Sequence, residues 1–257
     1  MISKKKLIFN KMNKGLKSLS KREYPGRVII LGKDKSGEKD VVIYAITGRS
    51  PSSQARKLEL ENDGIWAKPT DEEVLKKGSR DLLVYPAMFF YRGIVVSNGK
   101  QTIDIKASLG EGRGPAEILE LALHNWDYEP DSPIFTPRIS GCILPQKTPA
   151  LSIIRRGPHG SSIKNIYEIP LEAGKGKMIT TYAEENRDPL PSFSEEPADI
   201  EIEEEKADAM AEAVYNALGP EQGKKDFRVA VACVFSSEVN SGEFEIYIIN
   251  KHERMER

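Results

Sequence analysis

Metal and redox chemistry have little to work with in this chain. Its 257 residues include two cysteines and three histidines. Cys142 and Cys233 lie far apart in apolar surroundings and read as buried free thiols. His124, His159 and His252 are too scattered for a histidine-rich metal site, so no metal ligand set is expected. A Walker-type phosphate loop, a Gly-x-Gly-x-x-Gly fingerprint and a Cys-x-x-Cys pair are all missing. Charge of one sign is missing too: 38 basic against 39 acidic residues leave a formal net charge of -1. Nothing global therefore recruits nucleic acid or an anionic membrane. No apolar run approaches the roughly 20 residues needed to span a bilayer. Nothing suggests secretion, and a cytoplasmic setting is expected by default.

What remains is ordinary for a globular protein: 39% hydrophobic and 30% charged residues, in a chain long enough to bury a substantial core. Residues 1–22 differ from the rest. They carry Lys4, Lys5, Lys6, Lys11, Lys14, Lys17, Lys21 and Arg22 with no acidic residue, and read as a basic arm, disordered or helical. Met12 is a second candidate start. Aromatics are not interleaved with these basic residues, which argues against an RNA-binding arm. Residues 23–257 read as a single domain.

Strand signals recur along that domain. Arg27–Gly32 and Asp40–Thr47 read as a hairpin, rich in β-branched residues and bounded by turn residues. Leu82–Tyr85 and Gly93–Ser97 read as a second pair, with Asn98-Gly99 as a turn signal. Further strands are expected at Leu151–Arg155, Ile163–Ile169, Lys177–Tyr182, Phe227–Phe235 and Glu243–Ile249, the last two as a C-terminal hairpin. Two helices stand out. One runs from Pro115 to about Trp126, with Pro115, Ile118, Leu119, Ala122 and Trp126 on one face. The other spans about Ile202 to Leu218 and stops at Gly219-Pro220. The acidic run Glu201 to Glu205 fills its first turns and is explained by the helix dipole rather than by a metal. Residues 184–197 read as a long polar loop. Hairpins with a few separate helices predict an α+β fold with mostly antiparallel sheets.

The chemistry-bearing candidates sit at the ends of these elements. Arg49 and Arg56 occupy a Ser-rich turn after the strand ending near Thr47. Guanidinium forks together with Ser50, Ser52 and Ser53 hydroxyls are good phosphate ligands, although loop arginines are commonly just solvated. Tyr85 lies in a strand, where a core or edge tyrosine is the bland reading. Glu129 and Asp131 follow the first helix in a Pro-rich turn, and Arg138 stands close enough in sequence to pair with either. Arg113-Gly114 reads as a helix start, with anion binding by its backbone as the alternative.

Three segments combine such groups with turn residues: Thr47-Gly-Arg-Ser-Pro-Ser-Ser-Gln-Ala-Arg56, Val95-Val-Ser-Asn-Gly99 and Tyr128-Glu-Pro-Asp-Ser-Pro-Ile-Phe-Thr-Pro-Arg-Ile139. Together with Tyr24-Pro-Gly-Arg27 they resemble the archaeal-type IMP cyclohydrolase family, in the family's order and with similar spacing, most clearly from Tyr24 to Ile139. The resemblance implies a four-layer αββα sandwich like that of the N-terminal-nucleophile hydrolases, without self-processing. It implies dehydrative closure of 5-formamidoimidazole-4-carboxamide ribonucleotide to IMP, the last step of de novo purine synthesis, in a cyclic amidine hydrolase acting in the ring-closing direction. The reaction is intramolecular, and no cofactor is expected.

Carried residue by residue, the resemblance makes Tyr85 and Glu129 the catalytic pair, and Arg49 and Arg138 pocket arginines. A further family arginine falls on Gln54 without a gap, or on Arg56 after a small shift. Ser50 and Asn98 complete the expected substrate contacts. The expected partner is a purine ribonucleotide, with no nucleic acid and no membrane; a homo-oligomer is left open. Two rivals are a non-catalytic purine-nucleotide binder and an N-terminal-nucleophile-type amide hydrolase. The latter would have to be cut at Gly141-Cys142, which would strand half the fold.

Overall fold

A computed structural model describes residues 14–71, 73, 83–238 and 243–255. The first hairpin forms as its composition dictates: β1 (Arg27–Lys33) pairs antiparallel with β2 (Asp40–Thr47), Ile29 opposite Tyr44. β10 (Lys175–Thr180) and β11 (Ala198–Glu201) extend one side of it. The C-terminal hairpin of β12 (Arg228–Glu238) and β13 (Glu243–Asn250) extends the other, giving the order β11-β10-β1-β2-β12-β13. A second sheet takes its seven strands in chain order. These are β3 (Arg56–Glu61), β4 (Gly64–Pro69), β5 (Tyr85–Phe90), β6 (Ile94–Ser97), β7 (Arg138–Ile143), β8 (Ala150–Arg156) and β9 (Ser162–Glu168). Pairing is antiparallel throughout both sheets among the described residues.

Alternation along the strands divides the apolar residues into layers. Ile29, Leu31, Tyr44 and Ile46 meet Leu58, Tyr85, Ile139 and Leu151 between the sheets. The opposite faces of β1, β2 and β12 pack on the helix Ala207–Ala217. Val95, Cys142, Ala150 and Ile154 pack under Ile105 of the helix Gln101–Ala107 and under Ile118 and Leu119 of the helix Pro115–Ala122. The result is α+β, helix–sheet–sheet–helix. Leu16 and Leu19, from the short helical stretch at Lys14–Ser20, are buried in the outer core beside Ala207–Ala217; residues 1–13 of the basic arm lie outside the described residues.

Several boundaries differ from the sequence reading, each for a tertiary reason. The Pro115 helix ends at Ala122, and Lys164 of β9 donates to the carbonyl of Leu123, 2.9 Å, and to that of His124. The later helix starts at Ala207, not near Ile202, because the Ala207 N–H is met by Glu245 of β13 at 2.8 Å. Ile202 is instead buried in the outer core, and Glu201 to Glu205 precede the helix rather than fill its first turns. Gln101–Ala107 was not expected as a helix; its Thr102 hydroxyl bonds the Pro86 carbonyl at 2.6 Å, and tertiary packing outweighs its β-branched content. β3, β4, β7 and β11 were also unread. Leu82 lies outside the described residues, and Tyr85 begins its strand rather than ending it. That strand turns at Tyr91 to Gly93, so Asn98-Gly99 leads into a helix and is no hairpin turn.

Candidate active site

The antiparallel weave brings one set of strand termini to the same end of the sandwich: the starts of β1, β3, β5 and β7 and the ends of β2 and β6. A cavity of about 280 Å³ opens there, lined in part by Arg27, Arg49, Arg56, Asn98, Glu129 and Asp131. Across the seven-stranded sheet the functional residues appear in the order Arg56 (β3), Tyr85 (β5), Asn98 (after β6) and Arg138 (β7). At about 4.8 Å per strand, β3 and β6 are about 14 Å apart. Both Arg27 and Arg56 still act on the charge of Glu129, so the two sides of the cavity lie within electrostatic reach of one another.

The β3 end is cationic. Arg56 is buried at 7% exposure, and among the described residues its Nε and Nη1 find no hydrogen-bond partner. Burial first, and the neighbouring Arg27 second, hold its pKa below the ordinary arginine value. Gln54, the other candidate for the family's arginine position, turns its amide to the carbonyl of Gly48 and does not line the cavity. Ser50 caps the turn Pro51–Gln54 through the Ser53 N–H and also contacts the hydroxyls of Ser52 and Ser53; all three serines line the cavity. Arg49 leans over the Tyr24 ring and meets Asp188 at 2.9 Å and Asn186 at 3.2 Å.

Arg27 was overlooked as a wall residue by the sequence reading, despite standing in its Tyr24-Pro-Gly-Arg27 motif. Its Nε donates to the Tyr85 hydroxyl at 3.3 Å and its Nη1 to the Thr47 carbonyl at 3.4 Å. Burial opposes its charge, but the oxygens of Tyr85, Tyr44 and Tyr24 outweigh this and its pKa stands above the ordinary value. The preceding Gly26 has φ +74°, and a Cβ there would lie 2.1 Å from Thr181 Oγ1, so only glycine lets β1 start in this position. Tyr85 itself is 1% exposed and sits one hydrogen bond behind Arg27 rather than on the cavity wall. Tyr44 bonds it from the core side at 2.8 Å.

The far end carries the acid. Glu129 is buried at 8% exposure; burial raises its pKa, with Arg138, then Arg27, pulling the other way. Arg138 does not line the cavity. It reaches Glu129 at 3.5 Å and is fixed by the Asp127 carbonyl at 2.9 Å, Gln101 at 3.2 Å and the Trp126 ring. Asn98 spends its side chain on Pro137, Ile139 and Gln101, joining β6 to β7, so it shapes the wall and keeps one Nδ2 proton for a ligand. Asp131, Thr136 and Tyr182 form a linked polar patch beside it, the Thr136 and Tyr182 hydroxyls 2.8 Å apart. Burial first pushes the Tyr182 phenol up to about 12, keeping it protonated. No sequence signal marks Tyr44 or Tyr182, which look like core residues until the strands are paired, whereas Thr136 lies inside the Tyr128–Ile139 motif without being singled out there.

Fold and site together define an α+β protein with a cavity walled by Arg27, Arg49 and Arg56 and by the buried Glu129 carboxylate. The described residues hold no grouping of His, Cys, Asp or Glu suited to a metal ion, and no helix long and apolar enough to cross a membrane. The family described as IMP cyclohydrolase-like protein matches residues 24–240, and the chain belongs to it. It is 28% identical over 169 residues to the IMP cyclohydrolase of Methanothrix thermoacetophila, covering 65% of this chain and 78% of that one. Against the IMP cyclohydrolase of Methanosphaera stadtmanae it is 28% identical over 166 residues, covering 62% and 73%.

Proposed function

We propose that this chain closes the second purine ring, converting 5-formamidoimidazole-4-carboxamide ribonucleotide to IMP and water. The observation that carries the reading is a cavity that holds both the buried Arg56 guanidinium, whose Nε and Nη1 have no hydrogen-bond partner among the described residues, and the buried Glu129 carboxylate. A phosphate dianion at Arg56, with Arg49, Ser50, Ser52 and Ser53, satisfies the first. The ring then lies toward β6 and β7, where Glu129 waits.

The chemistry suits these groups. The carboxamide nitrogen attacks the formyl carbon, forming the new C–N bond and passing one proton to Glu129. The formyl oxygen takes a proton from Tyr85 as it becomes the carbinolamine hydroxyl, a contact that requires Arg27, which covers Tyr85 in the free protein, to turn toward the substrate. Water then leaves with that oxygen as the formamido N–H proton is lost and the C=N bond forms. Glu129 protonates the departing hydroxyl, and Tyr85 recovers its own proton. Arg27, charged and aimed into the cavity, stabilises the oxygen as it gains charge. Alignment of a poor nucleophile supplies much of the rate, on the order of 7–11 kcal/mol for well-oriented intramolecular reactions. None of these steps calls for a group carrier or a cofactor.

The layers favour kinship with the N-terminal-nucleophile hydrolases, but their nucleophile chemistry is not supported. Cys142 lies inside β7, fully buried, and burial pushes its thiol up to about 12. We further take residues 23–257 as one functional unit, in the cytoplasm, without nucleic-acid or membrane partners and with self-association left open. The test is an absorbance time course of the purified protein with the formamido ribonucleotide, folate-free and metal-free, with chromatographic detection of IMP. IMP above the spontaneous rate supports the reading; nucleotide binding without IMP moves it to a non-catalytic binder.

A further inference from the structure

We propose that Asp131 and Tyr182 form a ribose-recognising edge of the cavity, which makes the site selective for nucleotides that carry the 2′ and 3′ hydroxyls. The inference rests on the nucleotide reading of the cavity and deepens it. Asp131, Thr136 and Tyr182 all line the cavity, beside Tyr24, Ile134 and Leu190. They lie between its arginines and its acid. Arg49 stands over the Tyr24 ring at 5.4 Å, that ring stacks on Tyr182 at 5.6 Å, and the Tyr182 hydroxyl is 2.8 Å from that of Thr136. Thr136 in turn bonds Asp131, whose charge acts on Glu129. A ribose holds the same place in a nucleotide, between phosphate and base.

Counting protons shows what this edge can receive. Asp131 Oδ1 accepts the Thr136 N–H at 2.6 Å, and Oδ2 accepts the Thr136 hydroxyl. An ionised carboxylate has no proton to give, and Thr136 has one hydroxyl proton, so the remaining bond runs from Tyr182 to Thr136. Every hydroxyl proton of the patch is then placed within it. What remains toward the cavity is acceptors alone: the further lone pairs of Asp131 and of Tyr182 Oη. Such an edge repels a phosphate or a carbonyl, which also bring only acceptors, and suits hydroxyl donors. A ribose diol brings two of them. Tyr24, Ile134 and Leu190 belong to one apolar cluster with Tyr182 and give the sugar carbons a surface to rest on. The turn itself is also braced by backbone bonds, from Glu129 N–H to the Thr136 carbonyl at 2.9 Å and from Ile134 N–H to the Asp131 carbonyl at 3.0 Å.

Calorimetric titration of the full chain with IMP and with 2′,3′-dideoxy-IMP tests this; the second ligand keeps the phosphate and the base and lacks both hydroxyls. Wild type should prefer IMP by about 10- to 150-fold, the range for one hydrogen bond to a charged group. Asp131→Asn should shrink that preference about fivefold or more by weakening IMP, because a neutral amide replaces the charged acceptor. Loss of the charge also eases the approach of the phosphate, but alike for both ligands, so the ratio isolates the sugar contact. Tyr182→Phe removes the other acceptor, should shrink the preference as well, and stands in for Asp131→Asn if that variant does not fold. Equal affinity of wild type for the two ligands overturns the proposal. So do variants that weaken both ligands alike, the mark of a merely structural role. A wild type that forms IMP but does not discriminate between the ligands removes this proposal and leaves the cyclohydrolase reading standing; binding of neither ligand removes both.

Discussion

Replacing Arg56 with methionine should strengthen the fold and cripple the site. In the free protein its guanidinium is buried, two of its nitrogens lack acceptors among the described residues and Arg27 stands beside it. A basic group whose folded pKa is depressed is penalised at every pH below that pKa, so at neutral pH the whole penalty is present. Each unpartnered buried donor costs about 1–3 kcal/mol, or about 2–6 kcal/mol gross for two. Methionine keeps the aliphatic stem and removes the charge. Recovery of even about 1 kcal/mol raises Tm by about 2–4 °C in a chain of this size. The nucleotide feels the opposite effect. Two charge-assisted bonds to phosphate, at about 1.5–3 kcal/mol each, amount to about 3–6 kcal/mol, or roughly 10²–10⁴-fold in KM. Thermal melts with and without IMP, together with initial rates, read both sides. The expected result is a higher Tm without ligand, no Tm gain on adding IMP, and a rate that no longer saturates. A Tm several degrees lower, with KM unchanged, would refute the assignment of Arg56 as a strained anion ligand.

Glu129→Gln should cut kcat by about 10²–10⁴-fold, as for loss of a positioned base. It should also raise Tm near neutral pH. Burial lifts the folded Glu129 pKa, so its favourable contribution is complete below the unfolded carboxylate pKa and is lost as pH rises through the folded one. The Tm difference between variant and wild type should therefore shrink in acid and grow toward neutrality; a difference that does not vary with pH would contradict this. Arg138→Met removes the main cation opposing that burial, so the acid limb of kcat/KM should move to higher pH, with KM changed less than kcat. Asp188→Asn frees Arg49 from a partner that is 83% exposed, a pair worth about 0–1 kcal/mol. Its KM should fall by less than about fivefold, and a large loss of affinity would place Asp188 in the site.

The amino-acid sequence determines a good deal of this protein locally. β-branched runs set β1, β2, β8 and β12, and Pro115 with Ile118 and Leu119 sets a helix, because each element satisfies its own backbone and shows one apolar face. Arg49, Arg56, Tyr85, Glu129 and Arg138 were legible as candidates through their motifs. β3 and β4 had a readable signal as well, Leu58 and Leu60 alternating up to Asn62-Asp-Gly64 and Ile65 and Ala67 after it. Other features depend on partners far away in the chain. Glu245 starts the helix at Ala207 and Lys164 closes the one before it, neither of which local propensity can anticipate. Which residues touch a ligand is likewise tertiary. Pairing β1 with β2 and facing them against β5 turns Arg27 into cavity wall, places Tyr85 behind it and brings Tyr44, an unremarkable strand tyrosine, within 2.8 Å of it. Burial then shifts the charges of Arg56 and Glu129, and burial exists only once both sheets are in place.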